Sequence, residues 1–180
     1  MVSVCTALPG GAQAFGGPLA AQAPSARLVT VYVATSRARD SLDSNEFTNR
    51  LSNELNFAEF TISIPPDHQP GQIEWPAGTA DPATSFVVVQ QKTLDKTTFQ
   101  QILVREAARK RVGVFIHGFN TSFQEALFRW AGMAADAQVD AVPILFAWPS
   151  DANVTGYVAD KDAATSSRDQ LVELLTITTA

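Results

Sequence analysis

A single cysteine, Cys5, stands among 180 residues, so no internal disulfide can form. His68 and His117 are the only histidines, too few with one cysteine for a Cys/His zinc site. No metal and no cofactor are expected. Charge is sparse as well. Asp, Glu, Lys and Arg make up 17% of the chain, against about 25% in ordinary domains, and the net charge is −5. The densest basic run is Arg109-Lys110-Arg111, which reads as the polar end of a helix ahead of a strand. That argues against nucleic acid as the main partner. No apolar run approaches the roughly 20 residues of a membrane span. Neither G-x-G-x-x-G nor G-x-x-x-x-G-K-[ST] occurs, which weighs against a nucleotide binder.

What is present suits one globular domain with a tail. Hydrophobic residues make up 46%, and a folded chain of this length buries roughly 70% of its unfolded surface. Met1 to Ala26 is rich in Ala, Gly, Pro and Gln and has no period of 2 or 3.6. It is predicted to be a disordered leader, with the domain spanning 27–180. It lacks the basic and apolar regions of an intact secretory signal. Val2-Ser3-Val4-Cys5 matches a lipoprotein cleavage site poorly, and a truncated or mis-started signal region is the better reading. The compartment stays open, with an extracytoplasmic (periplasmic) full-length parent as one reading.

Leu28 to Ala34 is β-branched and apolar, a buried strand. Thr35 to Asn56 is polar and reads as a long loop. Phe57 to Ile64 alternates and predicts a second strand, ended by Pro65-Pro66. Asp67 to Asp81 is turn-rich, and Ser85 to Gln91 predicts a third strand. From there helices and strands alternate. Thr97 to Lys110 predicts a helix with Thr97 and Gln100 at capping-box spacing. Val112 to Ile116 is an apolar run, as in a strand covered on both faces. Ser122 and Glu125 open the next helix, whose buried stripe is Phe123, Leu127, Trp130 and Ala134. Val142 to Trp148 is another buried strand, and Asp162 to Leu175 a last helix. The alternation implies an α/β fold with a mostly parallel sheet and flanking helices. In that sheet Val112–Ile116 is expected between Ser85–Gln91 and Val142–Trp148.

The segment Val112 to Asn120, V-G-V-F-I-H-G-F-N, carries the chemistry. A buried strand ends in His117-Gly118, turns, and enters a capped helix. Ligands of open α/β sheets sit beyond the carboxyl ends of strands. Amides after Gly118 near a helix start can hold a developing oxyanion. The bland alternative is a strand end with a turn glycine and a satisfied core histidine.

Ile116-His117-Gly118-Phe119-Asn120, with Phe123 and Ala126-Leu127, resembles the oxyanion-loop region of α/β-hydrolases. More narrowly, the chain is similar to a bacterial family of largely uncharacterised, esterase/lipase-like members of that fold. Further matching segments follow in order: Val31 to Thr35, Ser63 to Pro66, His68 with Pro70 to Pro76, Phe146 to Ser150, Tyr157 with Asp160, and Ser167-Arg168. The resemblance implies serine-dependent hydrolysis of an ester-like bond, on a small-molecule or lipid-like substrate. It implies that the Phe119 N–H donates to the oxyanion, with Gly118 and His117 shaping the turn.

The sequence departs from that pattern in one respect. A nucleophile elbow, G-x-S-x-G or similar, should follow the next strand. No serine in the chain has that setting. The expectation is therefore the N-terminal portion of a hydrolase domain, truncated before the elbow strand and lacking nucleophile, acid and base. A substitute triad of Ser150, His117 and Asp151 is conceivable, but neither an oriented base nor a strained nucleophile is signalled. The rival reading is a non-catalytic binding module, a pseudoenzyme on the same fold. His68 reads as a residue of an exposed turn. Arg37 and Arg39 read as solvated loop charge or as contacts to an anionic substrate. Arg168 reads as a surface residue or as a tie to a neighbouring loop. A missing strand beside Val142–Trp148 would bare a sheet edge and part of Leu171, Leu174 and Leu175, so self-association through that edge is expected.

Overall fold

The structure is a computed structural model, and it describes residues 23–40, 46–138, 140–150 and 157–179. Val2 to Cys5 and Asp151 lie outside the described residues. Five strands and four helices follow one another: β1 (Arg27–Arg39), β2 (Phe47–Ile64), β3 (Val87–Leu94), α1 (Lys96–Ala107), β4 (Arg111–Ile116), α2 (Phe123–Asp136), β5 (Ala141–Ala147), α3 (Tyr157–Ser166) and α4 (Arg168–Thr179). They build one sheet in the order β3-β2-β1-β5-β4.

The sheet is mixed, which corrects the mostly parallel expectation. β1 pairs with β2, and β2 with β3, antiparallel. β1 with β5, and β5 with β4, are parallel. Chain connection explains the division. Antiparallel neighbours can be joined by short connections, whereas parallel neighbours need a crossover, usually through a helix. Among the described residues, helices enter only after β3.

The expected long loop from Thr35 to Asn56 is mostly strand. β1 and β2 stay paired out to Arg39 and Phe47, with register shifts between Thr35 and Arg37 and between Arg37 and Arg39. Such shifts bend a ribbon and raise its local twist. The polar composition hid this arm, because much of β2 from Asn49 to Glu54 is exposed.

The neighbours of β4 also differ from expectation. β5 lies between β1 and β4, so the Val112–Ile116 strand is terminal and does not touch β3. The bared edge therefore belongs to β4, and β5 is an interior strand. The leucine expectation shifts too. Leu174 is fully buried, Leu171 is half-buried, and Leu175 is exposed. Fully burying a leucine stabilises by about 1.5–3 kcal/mol.

Alternation along β1 sends Val31 and Val33 to one face and Tyr32 and Ala34 to the other. α2 covers the first face with Ala126, Leu127, Phe128, Ala131 and Ala135. α1 (Phe99, Ile102, Leu103) and α4 (Leu174) cover the second, against Phe57, Ile144 and Phe146. The result is helices on both faces of a sheet. α2 starts as the sequence predicts, with Ser122 accepting from the Glu125 N–H at 3.1 Å. α1 starts earlier than predicted: its cap is Asp95, which accepts from the Thr98 N–H at 2.7 Å. The single helix expected from Asp162 to Leu175 is two, divided at Ser167. None of the described helices is long and apolar enough to cross a membrane.

Candidate active site at the carboxyl ends of the parallel strands

β1, β5 and β4 run parallel, so their carboxyl ends share one edge of the sheet. Three segments meet there: Thr35 to Arg37 from β1, Ile116 to Thr121 after β4, and Trp148 to Ser150 after β5. Thr35 Oγ1 donates to the Ala147 carbonyl at 2.5 Å and joins the first and third. His117 joins the second and third. Its Nε2 lies 3.1 Å from the Trp148 carbonyl, and the Trp148 indole N–H donates to the His117 carbonyl at 2.9 Å. The two rings stack, 4.8 Å between centroids and 12° between planes.

His117 is buried and faces backbone on both ring nitrogens, Nδ1 lying 3.0 Å from the Gly118 carbonyl. Burial pushes its pKa below the ordinary 6.5. The positive charge of Arg37 adds to that, against the opposing pull of the two carbonyls and of Asp160. The neutral ring is therefore the form the fold favours. It has one N–H to donate and two carbonyls to face. Such a ring ties two strand ends together and is not aimed at a hydroxyl.

The turn after His117 takes its shape from Asn120, whose φ is +54°. Asn is among the few residues that enter this left-handed region readily. Gly118 does not need positive φ, and a Cβ there would meet nothing within 4 Å. Its position is exposed. Phe119 is 40% exposed, and Ile116 at the end of β4 is exposed as well.

Behind the turn lies a buried polar cluster. The Ser150 hydroxyl donates to Asp160 Oδ2 at 2.6 Å. The Thr121 N–H donates to Ser150 Oγ at 3.3 Å, and the Asn120 N–H to Asp160 Oδ2 at 3.4 Å. Arg37 Nη2 donates to the Ser150 carbonyl at 3.2 Å, and Arg37 Nη1 donates to Asn49 Oδ1. Arg37, Ser150 and Asp160 are 1%, 1% and 3% exposed. Arg37 is thus neither solvated loop charge nor an open anion contact. Its guanidinium also sits 5.8 Å from the centre of the Phe123 ring. Ser36 Oγ donates to Ser167 Oγ at 2.7 Å and fastens the α3–α4 joint to the same strand end.

The substitute triad does not assemble around His117. The Ser150 hydroxyl turns to Asp160, while the histidine nitrogens face Gly118 and Trp148. Of the predicted residues, the structure brings His117, Gly118 and Phe119 into one turn. It adds three that the sequence reading did not assemble: Arg37, Ser150 and Asp160. The Phe146–Ser150 and Tyr157–Asp160 matches pointed to two of them, and Asp160 lies in the first turn of α3. Arg168 is exposed, and its side chain makes no hydrogen bond or ion pair to a loop among the described residues.

His68 belongs elsewhere. It lies near the start of β1 and the end of α2, beside a cavity of about 200 Å³ lined by residues including Arg27, Pro65 and Asp136. Its side chain is 8% exposed and is not that of an open turn. Nδ1 meets Glu74 Oε2 at 2.7 Å, Nε2 meets Asp136 Oδ1 at 3.1 Å, and the ring edge packs on Phe86. Burial tends to raise the Glu74 pKa. Hydrogen bonds from the Gln69 N–H and from His68 outweigh that and hold it below the ordinary 4.5. This clasp ties the Pro-rich segment after β2 to α2. Among the described residues, no group of three His, Cys, Asp or Glu is placed to hold a metal ion.

A family model described as an alpha/beta hydrolase of unknown function (DUF900) matches residues 91–180. That span takes in β4, the H-G-F-N turn, α2, β5 and the last two helices. No curated protein matches the chain. No solved structure matches it.

Proposed function

The chain belongs to this α/β-hydrolase family of unknown function, and from that premise we propose that it supplies the oxyanion half of a serine-dependent site for hydrolysis of an ester-like bond. The observation that carries the reading is the placing of the His117–Thr121 turn. It lies beyond the carboxyl ends of parallel strands and leads straight into capped α2. Acyl transfer develops negative charge on a carbonyl oxygen, and fixed N–H donors stabilise it. Phe119 is the donor in this reading, with Gly118 and His117 shaping its approach. The exposed side chains of Phe119 and Ile116 favour an apolar, small-molecule or lipid-like ester. The nucleophile, acid and base are not among residues 1–180 in this reading, since no serine has an elbow setting.

Acetate is a suitable probe, because it presents a carboxylate oxygen without needing a nucleophile. Titration of the ¹⁵N-labelled protein should move the Phe119 amide resonance saturably. An unmoved Phe119 amide, with the protein folded, would overturn the assignment.

One observation favours a second reading, a non-catalytic binding module. Ser150 and His117, the serine and histidine of the conceivable substitute triad, are both held in internal contacts. A serine-reactive fluorophosphonate tests what both readings share, that no serine of residues 1–180 acts as a nucleophile. Labelling would favour an enzyme in the chain itself, and its absence a binding role or a half-site.

A further inference from the structure

The buried cluster behind the H-G-F-N turn has a consistent direction. Two consecutive turn amides, Asn120 and Thr121, reach back to two side chains, Asp160 and Ser150. Those side chains bond each other at 2.6 Å. They come from different elements, Ser150 from the end of β5 and Asp160 from the first turn of α3. Ser150 is in turn held by its backbone, through the carbonyl that accepts from Arg37 of β1. The turn passes through the left-handed Asn120, a conformation open to asparagine and glycine and costly to most other residues.

We propose that Asp160 and Ser150 are positioning residues that lock the H-G-F-N turn, each through its own amide, with Arg37 fixing Ser150 from behind. The proposal rests on the oxyanion reading only for its use: the lock sets where the Phe119 amide points. The geometry assigns a division of labour. Asp160 holds Asn120 directly. It holds Thr121 only through Ser150, whose hydroxyl it orients to accept. Ser150 holds Thr121 alone. Donors aimed in advance at a developing charge need such support, since a turn free to relax would lose its aim.

Amide hydrogen exchange, read residue by residue by NMR, tests this in the whole chain with three variants: Asp160→Ala, Asp160→Asn and Ser150→Ala. Leu145 and Phe146 of β5 serve as internal references for the sheet. In Asp160→Ala, exchange at both Asn120 and Thr121 should rise about tenfold, the change expected from losing one ordinary hydrogen bond. In Ser150→Ala, Thr121 should rise similarly while Asn120 holds. Asp160→Asn keeps an acceptor oxygen and should restore most of the protection. Leu145 and Phe146 should stay unchanged throughout. A role confined to general stability would instead release turn and sheet together, and that result overturns the proposal. So does unchanged protection of Asn120 in Asp160→Ala. Should Asp160→Ala not fold, Ser150→Ala decides: release of Thr121 alone supports the lock, and release of neither or of both overturns it. The readout needs no bound anion, so it can succeed or fail independently of the acetate titration.

Discussion

His117 and Trp148 exchange backbone for side chain. Each ring reaches the other residue's carbonyl, at 3.1 and 2.9 Å, and the rings stack face to face between the two contacts. The pair closes the carboxyl ends of β4 and β5 into one platform, and the H-G-F-N turn starts from it. A histidine held in this way is a structural strut in the first instance.

That geometry sets the cost of removing the ring. A stacked pair contributes about 0.5–1.5 kcal/mol beyond burial, and a hydrogen bond about 1 kcal/mol. His117→Ala should therefore lower unfolding free energy by about 2 kcal/mol in urea denaturation, with Trp148 fluorescence altered in the folded state. A loss under about 0.5 kcal/mol, the usual scale of a surface change, would mean that the strut carries little.

Protonation gives a second measurement of the same pair. Burial holds the His117 pKa below the ordinary 6.5 in the folded chain. Above 6.5 the residue is neutral in both folded and unfolded chains, and its contribution is complete. As pH falls below that value, the unfolded chain binds the proton first, so stability drops until the folded value is passed. Glu74 acts lower on the scale. Its folded pKa lies below 4.5, so its contribution is complete above 4.5 and is lost as pH falls through the folded value. Stability against pH should then decline in two stages. His117→Phe, which keeps a stacking ring, should remove the upper stage and leave the lower. An unchanged upper stage in that variant would assign it to another group.

The elements differ in how legible they are, and the reasons are physical. The start of α2 shows in the sequence because Ser122 and Glu125 make a local contact. The start of α1 was displaced because Asp95 reaches Thr98 as well as any capping box would, and a threonine pair obscured it. The β1–β2 arm shows no apolar alternation because its β1 half buries polar side chains, Thr35, Ser36 and Arg37, and much of its β2 half from Asn49 to Glu54 is exposed. The site divides in the same way. His117, Gly118 and Phe119 form one contiguous run. Arg37 and Ser150 stand 113 positions apart in sequence, and their contact depends on the strand order.

Ester hydrolysis by residues 1–180 should be undetectable with a p-nitrophenyl ester, and Ser150→Ala should change nothing. The Ser150 hydroxyl is 1% exposed and donates to a carboxylate, not to an imidazole. Attack on an acyl carbon needs an accessible oxygen and a base within reach. Steady turnover lost in Ser150→Ala would restore the substitute triad.

The conformation of Asn120 predicts an asymmetry between two substitutions. At φ +54°, a side chain without a local hydrogen bond costs roughly 1–2 kcal/mol, and glycine avoids the clash. Asn120→Ala should therefore be less stable than Asn120→Gly by about 1 kcal/mol in chemical denaturation. Equal stabilities would mean that the turn adopts another conformation in solution.

Self-association should run through β4, whose outer edge pairs with no described strand. The occupant expected is a second copy, its β4 antiparallel across a two-fold axis. Sedimentation should show concentration-dependent dimers. A monomer at all concentrations would refute this.

Arg37 and Asp160 offer the most demanding test of the buried cluster. Both are all but inaccessible, at 1% and 3% exposure, and Ser150 bridges them through its carbonyl and its hydroxyl. Losing a buried hydrogen bond made by a charged group costs about 1.5–3 kcal/mol. Arg37→Met keeps volume and removes the charge, and it should fall in that range. Asp160→Asn keeps the shape and an acceptor, and should cost less. The two losses should not add. With Arg37 gone, the network joined through Ser150 is already loosened, so Asp160→Asn should cost less than it does alone. The double variant should then be more stable than the sum of the singles predicts by at least about 1 kcal/mol, outside the additive range of distant sites. Additivity within about 0.5 kcal/mol would show that the two residues do not sense each other through Ser150.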